Sequence, residues 1–411
     1  MSQNTPNLTQ TELATLWSNL PQNAQVLFRT EGPGIPTWRR LLAFDPIETF
    51  TLDSADQVHE LKSFLNKNRD NLCAGYLSYD LGLAMHQIVS RHNSQIPLAV
   101  FQAYNNWLEM DSGFIRIARP GEEFAVSLKH LFEKTALQSQ SKPALHFTTS
   151  DQQQIYAQNI GKIHDYIRAG DVYQINYTQQ LHSKSNEQSR ALYAKLIQQH
   201  PAEYGCYMET SDLAIHSLSP ELFLHYSDGK LTTKPIKGTR PRGQSELEDD
   251  QLSGELMNSD KEQAELYMIT DLLRNDLGKV SKIGSVKLDA LKILSKLPKV
   301  WHTYSHISGN IRLDLQPLDA LFSMFPGGSI TGCPKQRALE VIDELESSSR
   351  ELYTGSIGYF HPDGDFSFNI AIRTLIQKGS SLTLGSGGGI TIDSNWQEEW
   401  NELLVKATTF E

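Results

Sequence analysis

Cysteine is scarce in this chain, with three residues among 411. Cys73, Cys206 and Cys333 are too few for a disulfide framework and are not spaced as pairs of metal ligands. No apolar run reaches the roughly 18 residues that a membrane helix needs. The N-terminal residues also lack the basic and apolar segments of a secretory signal. These absences predict a soluble protein of a reducing compartment, most simply the cytoplasm.

Positive charge is scarce as well, with 37 Lys and Arg against 48 Asp and Glu and a net charge of −11. This balance argues against nucleic acid or an anionic membrane as the main partner, but an anionic small molecule can still bind where basic residues cluster. The GxGxxG, HExxH, GxSxG and Walker motifs are absent, and no cysteine stands in a Gly-x-Cys-x-Gly elbow. The usual nucleotide-binding, hydrolase and glutaminase interpretations therefore lack support.

Hydrophobic periodicity predicts an α+β fold with two subdomains. Residues 1–140 alternate short β-like runs with polar turns, which is typical of a β-rich subdomain. Residues 150–411 form the predicted catalytic region, where paired strands such as those around 360–366 favour antiparallel sheet with helices outside. The polar segment 139–143 is the candidate boundary, and one intertwined domain is the alternative.

The second region carries clear element signals. Ser150 and Ser259 each open a capping-box pattern, and the helix after Ser259 is predicted over residues 260–277. The helix after Ser150 is predicted to bury one face of isoleucines, namely Ile155, Ile160, Ile163 and Ile167. Ser394 is predicted to cap the last helix, and residues 366–375 are predicted to form one strand.

The segment Thr233–Gly243 is unusually basic and rigid for an acidic protein. It holds four cations, two prolines and two glycines, so its backbone is suited to aim a side chain. Lys237 stands between Ile236 and Gly238, where a partly apolar pocket would favour the neutral, nucleophilic amine. A basic surface loop is the alternative.

Candidate anion-binding groups follow later in the chain. Arg373 shares one predicted strand face with small residues, and a guanidinium over such a face suits a carboxylate. The glycine run Gly387–Gly389 after a strand and the helix start at Thr331–Lys335 both present backbone N–H groups that favour anions. An ordinary strand face, a plain loop and a routine helix start are the respective alternatives.

Carboxylates supply candidates for a metal site and for acid catalysis. Glu265 and Glu402 lie on two separate predicted helices, and such a pair suits Mg²⁺, although surface ion pairs are the alternative. Glu221 follows a strand just before the basic segment, and partial shielding there would raise its pKa and make it a general acid. His302 is a candidate acid or base, with a core histidine as the alternative.

The order of these segments resembles that of the chorismate-utilising enzymes, most closely the large subunits (component I) of aminodeoxychorismate synthases. The resemblance covers roughly residues 150–411 and is loose before them. It rests on these stretches: Asp171–Asn176, Ser217–Glu221, Thr233–Thr239, Glu265–Gly278, Pro326–Lys335, Gly355–Tyr359, Ile372–Thr374, Gly387–Ile390, Glu402 and Lys406. The family fold that it implies has two antiparallel sheets in a sandwich-like core with helices outside.

Two positions separate the branches of this family. Members that make anthranilate resemble this chain but carry alanine where Lys237 stands. Members that make isochorismate or salicylate typically carry a water-activating lysine where this chain has Gln174. The combination of Lys237 and Gln174 resembles that of the amine-using branch, which serves the p-aminobenzoate and folate pathway. An anthranilate synthase large subunit and a non-catalytic protein that binds an anionic metabolite are the alternatives.

The resemblance also implies residue roles and partners. Lys237 is expected to attack C2 of chorismate while Glu221 protonates the departing C4 hydroxyl, before ammonia adds at C4 and expels the lysine. Mg²⁺ is expected at Glu265 and Glu402, and His302 matches a further catalytic position. Positions expected to contact substrate are Gln174, Thr331, Tyr359, Arg373, Gly387, Gly388, Gly389 and Lys406. The expected partners are chorismate, ammonia and a separate glutamine amidotransferase subunit that delivers the ammonia.

Overall fold

The computed structural model describes residues 3–4, 24–30, 39–111, 114–118, 145–148, 152–200, 202–297 and 300–410. Its strands are β1 (Gln3–Asn4), β2 (Ala24–Thr30), β3 (Arg39–Phe44), β4 (Glu48–Leu52), β5 (Leu72–Leu77), β6 (Ala99–Tyr104), β7 (Asn106–Asp111), β8 (Phe114–Ala118), β9 (Gln174–Lys184), β10 (Cys206–Glu209), β11 (Ala214–Ser217), β12 (Leu222–Ser227), β13 (Lys230–Lys234), β14 (Ile236–Pro241), β15 (Lys287–Lys296), β16 (Val300–Asn310), β17 (Gly332–Cys333), β18 (Ser356–Phe360), β19 (Phe366–Asn369), β20 (Thr374–Lys378) and β21 (Ser381–Ile390). Its α-helices are α1 (Val58–Lys67), α2 (Tyr79–Met85), α3 (Gln153–Arg168), α4 (Ser189–Gln199), α5 (Glu246–Asn258), α6 (Asp260–Val280), α7 (Pro317–Met324), α8 (Lys335–Leu345) and α9 (Trp396–Ala407). Within the described ranges, none of these helices is both long and apolar enough to cross a bilayer.

The strands form two large sheets. The first sheet has eleven strands in the order β1-β8-β7-β3-β2-β10-β11-β20-β21-β9-β17. The second has ten, in the order β14-β16-β13-β12-β19-β18-β5-β6-β4, with β15 beside β16. Neighbouring strands pair antiparallel in both sheets. This architecture confirms the predicted α+β fold with antiparallel sheets and outer helices.

Each sheet takes strands from both sides of residue 140. In the first sheet β2 pairs with β10, and in the second β5 pairs with β18. Residues 119–144 lie outside the described ranges, so the division into parts 1–140 and 150–411 stays a prediction.

Three apolar layers hold the sheets and helices together. The middle layer joins the sheets, because one cluster contains Leu41 and Met208 from the first sheet and Tyr76 and Val100 from the second. Helices α3, α8 and α9 cover the outer face of the first sheet, and α6 and α7 pack with strands of the second. Burying one face of every helix against a sheet is the general way such layers are stabilised.

Two helix starts differ from the sequence expectation. Ile155 is 50% exposed, so its predicted place on the buried face of α3 was wrong, and Tyr156 is buried there instead. The predicted burial of Ile160 and Ile163 is confirmed. The proposed cap Ser150 lies outside the described residues. In α9 the cap is Asn395, whose side chain accepts from two backbone N–H groups, so the prediction of Ser394 was one residue off.

The Ser259 cap of α6 is confirmed, since its hydroxyl accepts from the backbone N–H of Glu262. That helix runs to Val280, three residues beyond the predicted end at 277. The hairpin around 360–366 is confirmed as well, because Phe360 pairs with Phe366.

A buried ion pair between Glu346 and Arg350 ties several elements together. Their side chains lie 2.7 Å apart and are 5% and 2% exposed. The Arg350 guanidinium also donates to the carbonyls of Asn176 in β9 and Ile330 in the turn before β17. Glu346 in turn accepts from the backbone N–H and the hydroxyl of Thr178. The pair therefore fixes β9 against the turn at residues 328–330.

Replacing Arg350 by alanine should lower the free energy of unfolding by about 3–5 kcal/mol, because Glu346 then stays buried without its counter-charge. Urea denaturation measures the change. Arg312→Ala is the matched control, since that arginine pairs with Asp314 at the surface and its loss should leave the stability nearly unchanged. Equal effects of the two substitutions would contradict the structural role of the buried pair.

Candidate active site

A cavity of about 670 Å³, called the main cavity below, lies where α6 and α9 meet the two sheets. Its charged and titratable lining consists of Glu221, Lys237, Arg240, Lys261, Glu262, Glu265, His302, Arg373, Glu399, Glu402 and Lys406. Most of the candidate residues therefore meet in one place, although they are distributed over almost 200 positions of the chain.

Lys237 lies on strand β14 and not in a loop. It pairs with Thr303 of β16, whose hydroxyl donates to the Lys237 carbonyl. The register shifts at Gly238, which has φ +81° and where a Cβ would lie 2.8 Å from Leu256. The resulting bulge re-aims the half-buried lysine side chain into the cavity. Among the described residues, no hydrogen bond or ion pair engages its ammonium group.

Glu221 is a buried carboxyl with one strong side-chain partner. It is 5% exposed, and its Oε1 accepts from the Ser329 hydroxyl at 2.6 Å. Burial raises the pKa of Glu221 to about 7, although the Ser329 bond and the charge of Lys237 act in the opposite direction. The group can therefore carry a proton near neutral pH, as a general acid must.

Arg373 occupies a break between the sheets. Residues 366–375 are not one strand, as predicted, because β19 belongs to the second sheet and β20 to the first. Arg373 stands between them with φ +46°, a conformation that non-glycine residues seldom adopt. Its guanidinium lines the main cavity, and no acidic side chain in the described ranges pairs with it. An unpaired, half-buried guanidinium of this kind suits the carboxylate of a ligand.

The glycine run is part of a strand. Gly387, Gly388 and Gly389 lie within β21 and pair with Thr178, Tyr177 and Asn176 of β9, so the run continues the strand that it was predicted to follow, and the plain-loop alternative is wrong. Strand β20 pairs with β21 only as far as Leu384, and the glycines therefore keep one edge that no neighbouring strand covers. That edge faces the main cavity.

The two predicted metal ligands line the main cavity from separate helices. Burial raises the pKa of Glu265 on α6. Burial acts in the same direction on Glu402 of α9, but Lys406 at 2.7 Å outweighs it and lowers the pKa of Glu402. No group of three or more His, Cys, Asp or Glu in the described part of the chain is arranged to hold a metal. Two carboxylates completed by substrate and water would fit Mg²⁺, which seldom needs a full protein cage.

His302 is a buried, neutral imidazole. Its Nδ1 lies 2.8 Å from the Thr239 hydroxyl, and its Nε2 has no hydrogen-bond partner in the described structure. Burial together with the charge of Arg373 lowers the pKa of His302 to about 4. The ring is therefore uncharged at neutral pH and is suited to accept or hold a proton at a defined atom.

Three residues predicted to contact substrate lie outside the lining of the main cavity. Tyr359 is buried in the apolar layer between the sheets, and its place near the substrate stays a prediction. Thr331 is fully buried, and its hydroxyl donates to backbone carbonyls of its own turn. Gln174 is buried directly against Gly389, where a Cβ would lie 2.1 Å from its amide nitrogen.

Other residues of the site were not identified from the sequence. Ser329 lies two positions before Thr331 in the same glycine-rich segment, but its contact with Glu221 spans 108 positions. Glu262 had been assigned only to a helix start, and Glu399 precedes Glu402 by less than one turn. Tyr353 lines the cavity where Tyr359 had been expected. Helical spacing would have identified Glu399, which lies on the same helix as Glu402 and three positions before it. No local sequence pattern identifies Ser329.

Comparison with known proteins agrees with this geometry. The model of the chorismate binding enzyme family matches residues 24–411. Aminodeoxychorismate synthase component 1 of Bacillus subtilis (strain 168) is 40% identical over 252 residues, which are 61% of this chain and 54% of that protein. The match thus spans about half the length of that relative. Anthranilate synthase component 1 1 of Haloarcula marismortui is 33% identical over 358 residues, which are 81% of this chain and 73% of that protein.

A solved structure shares the fold. The crystal structure of anthranilate synthase component I from Streptococcus pneumoniae TIGR4 superposes with a TM-score of 0.77 at 25% identity. The superposition covers 93% of this chain and 95% of that one. This agreement over nearly the whole chain confirms the predicted fold.

The raised pKa of Glu221 should appear in the pH dependence of stability. The folded protein keeps this proton to about pH 7, whereas the ordinary value for the group is 4.5, so stability is lost through Glu221 as the pH rises between these values. In Glu221→Gln this loss disappears, and the stability of the variant relative to the parent should grow by on the order of 3 kcal/mol between pH 4.5 and 7. Urea unfolding at several pH values measures it. The exposed Glu398→Gln is the control, and a flat difference for Glu221→Gln would contradict the assignment.

Proposed function

The chain belongs to the chorismate binding enzyme family, and from this premise we propose that it aminates chorismate with ammonia to give 4-amino-4-deoxychorismate. Aminodeoxychorismate is the product in the names of two relatives, from Bacillus subtilis and Escherichia coli, which are 40% and 39% identical to this chain. The observation that carries the proposal is the position of Lys237, whose unengaged ammonium group lies in one cavity with Glu221 and Arg373. An amine nucleophile, a proton donor and an anion-binding group are the parts that this reaction needs.

The main cavity binds the carboxylates of the substrate. Arg373 offers a bidentate guanidinium for one of them, and the free edge of the β21 glycines adds backbone N–H groups. Lys406, which donates to the Gly387 carbonyl at 2.8 Å, keeps this edge in place. Glu265 and Glu402 would hold a Mg²⁺ ion, whose chemistry when bound is to neutralise and orient a substrate carboxylate.

The first chemical step forms a covalent adduct. Lys237 reacts as the neutral amine: its Nζ bonds to C2 of the ring, the two conjugated ring double bonds shift, and the C4–O bond breaks with its electron pair on oxygen. Glu221 donates its proton to that oxygen, which leaves as water. The Glu221 carboxylate formed in this way can then take the extra proton from the substituted amine, so the acid is restored.

The second step releases the product. The ammonia nitrogen bonds to C4 while the bond between C2 and Nζ breaks, and the electron pair returns to Lys237. Splitting one poor displacement into two allylic displacements is the advantage of the covalent route. Ser329 supports the first step, because its 2.6 Å hydrogen bond orients the Glu221 carboxyl.

The proposal includes a setting and a partner. The product is a precursor of p-aminobenzoate and hence of folate, and we place the enzyme in the cytoplasm. A glutamine amidotransferase subunit would supply the ammonia. Two observations support this partner: the sequence has no Gly-x-Cys-x-Gly elbow, and the two relatives are named as component 1 of their enzymes.

An anthranilate synthase large subunit is the second candidate. The Haloarcula relative and the streptococcal structure, both anthranilate synthases, match more of this chain than the Bacillus relative does. Such an enzyme would eliminate pyruvate and release a fluorescent aromatic amine. A protein that binds an anionic metabolite without turnover is the third.

One experiment separates these functions. The purified chain is incubated with chorismate, MgCl₂ and ammonium chloride without any partner, and the products are identified by mass and fluorescence. We expect 4-amino-4-deoxychorismate. Anthranilate would establish the second candidate, and chorismate binding without turnover would establish the third.

Lys237→Ala should abolish the covalent adduct with chorismate, because no other group in the proposed mechanism bonds to C2. Intact-protein mass spectrometry after rapid trapping measures it. Lys230→Ala, at an exposed position of the preceding strand β13, is the control and should form the adduct as the parent does. An undiminished adduct in Lys237→Ala would identify a different nucleophile.

Glu265→Ala and Glu402→Ala should each raise the Mg²⁺ concentration for half-maximal rate by about tenfold or more, since each removes one oxygen ligand. Mg²⁺ titration of the rate and calorimetric Mg²⁺ binding measure the effect. Glu398→Ala, exposed on the same helix as Glu402, is the control. If neither Glu265→Ala nor Glu402→Ala differs from this control, the two-helix site is wrong.

A further inference from the structure

A second, smaller cavity adjoins the main cavity and is called the small cavity. It offers about 20 Å³ to water-sized molecules. One such molecule needs roughly 10–15 Å³ on this measure, so the space suits a single one. Pro220, Ile236 and His302 line both cavities, and Pro220 directly precedes Glu221. A molecule held in the small cavity therefore lies beside residues that also line the main cavity.

Two buried polar atoms of the small cavity lack hydrogen bonds within the described structure. They are the Tyr204 hydroxyl and the His302 Nε2, on side chains that are 5% and 3% exposed. Burial raises the pKa of Tyr204 well above its usual range, so the hydroxyl stays protonated and can donate. Buried polar atoms without partners are costly, and the two groups together define a site for a small polar molecule.

The tautomer of His302 makes the two atoms complementary. The Thr239 hydroxyl lies 2.8 Å from Nδ1 and can accept a hydrogen bond, so we assign the ring proton to Nδ1. Nε2 is then an acceptor, opposite the donor hydroxyl of Tyr204. The ligand must accept one hydrogen bond and donate another, as ammonia and water both do.

The electrostatic surroundings favour a neutral ligand. Lys234 is 4% exposed, lines the same cavity, and stands over the Tyr304 ring at 5.5 Å. The positive charge of Arg373 also acts on the His302 ring and opposes its protonation. The partly exposed Glu203 offsets part of the Lys234 charge. Glu203 lines the small cavity as well, so one carboxylate and one lysine face it and their charges largely offset each other. Without a net negative lining, burial disfavours the charged ammonium and so favours ammonia, which is the nucleophilic form.

We infer that the small cavity binds ammonia, with Tyr204 donating to its lone pair and His302 Nε2 accepting one of its protons. The inference rests on the proposed function, since it supplies the nucleophile of the second step. His302 would then face the reacting nitrogen and could take its surplus proton as that nitrogen bonds to C4. The His302 ring is neutral and its Nε2 has no hydrogen-bond partner in the described structure, so it can accept this proton.

The test varies ammonium chloride at saturating chorismate and MgCl₂. Tyr204→Phe removes the donor, and Leu297→Trp fills the small cavity. Each should raise the apparent KM for ammonium by about tenfold, the effect of losing one good hydrogen bond. The KM for chorismate and the formation of the Lys237 adduct without ammonia should not change. Leu291→Trp, 40% exposed on β15 and outside the cavity, is the matched control.

The outcomes separate this inference from the proposed function. If the parent protein aminates chorismate and Tyr204→Phe has the parental KM for ammonium, the cavity holds water alone and the inference is wrong. Because Tyr204→Phe removes a single oxygen, this result decides the matter even where Leu297→Trp fails to fold. A parent protein that makes no aminated product would overturn the proposed function, and the inference with it.

Discussion

The ion pair between Glu346 and Arg350 is the interaction on which the site depends. Arg350 holds the Ile330 carbonyl, and Lys335 holds the Pro326 carbonyl at 3.0 Å, so both ends of the glycine-rich turn are fixed. Ser329 lies between these anchors and reaches Glu221 across the cavity. A buried pair whose bonds are all satisfied is worth most as a means of specifying one arrangement. Here the arrangement that it specifies is the one that positions the acid.

The main cavity combines groups that would be unfavourable elsewhere in a core. Within the described residues the Arg373 guanidinium and the Lys237 side chain have no ion-pair partner, and these groups and the buried Glu221 carboxyl are each costly without a ligand. The two sheets, with a common apolar layer between them, supply the rigidity that keeps these groups in place. The lining holds five carboxyl and five cationic side chains, and the cations without a protein partner are the ones available to an anionic substrate, which is the physical basis of the proposed chemistry.

Local patterns predicted much of the fold. Alternating strands, the Ser259 cap and the 360–366 hairpin depend on neighbours in sequence, and the structure confirms them. The failures occurred where long-range packing decides. The strand expected over 366–375 divides between two sheets, and the glycine run continues a strand because β9 pairs with it. Tyr359 was expected in the site, but Tyr353 lines the cavity. The two tyrosines lie six positions apart in the same segment, and only packing decides which of them reaches the cavity.

The sequence by itself determined the chemistry that is available: a lysine in a stiff basic segment, carboxylates on two helices, and an arginine beside small residues. Those residue types set which charges and nucleophiles the chain can offer. The tertiary structure alone decided which of them meet, how deeply Glu221 is buried, and that Tyr204 and His302 share a small cavity. Burial and the pairing of polar groups are sums over neighbours brought from distant positions, so no local pattern contains them.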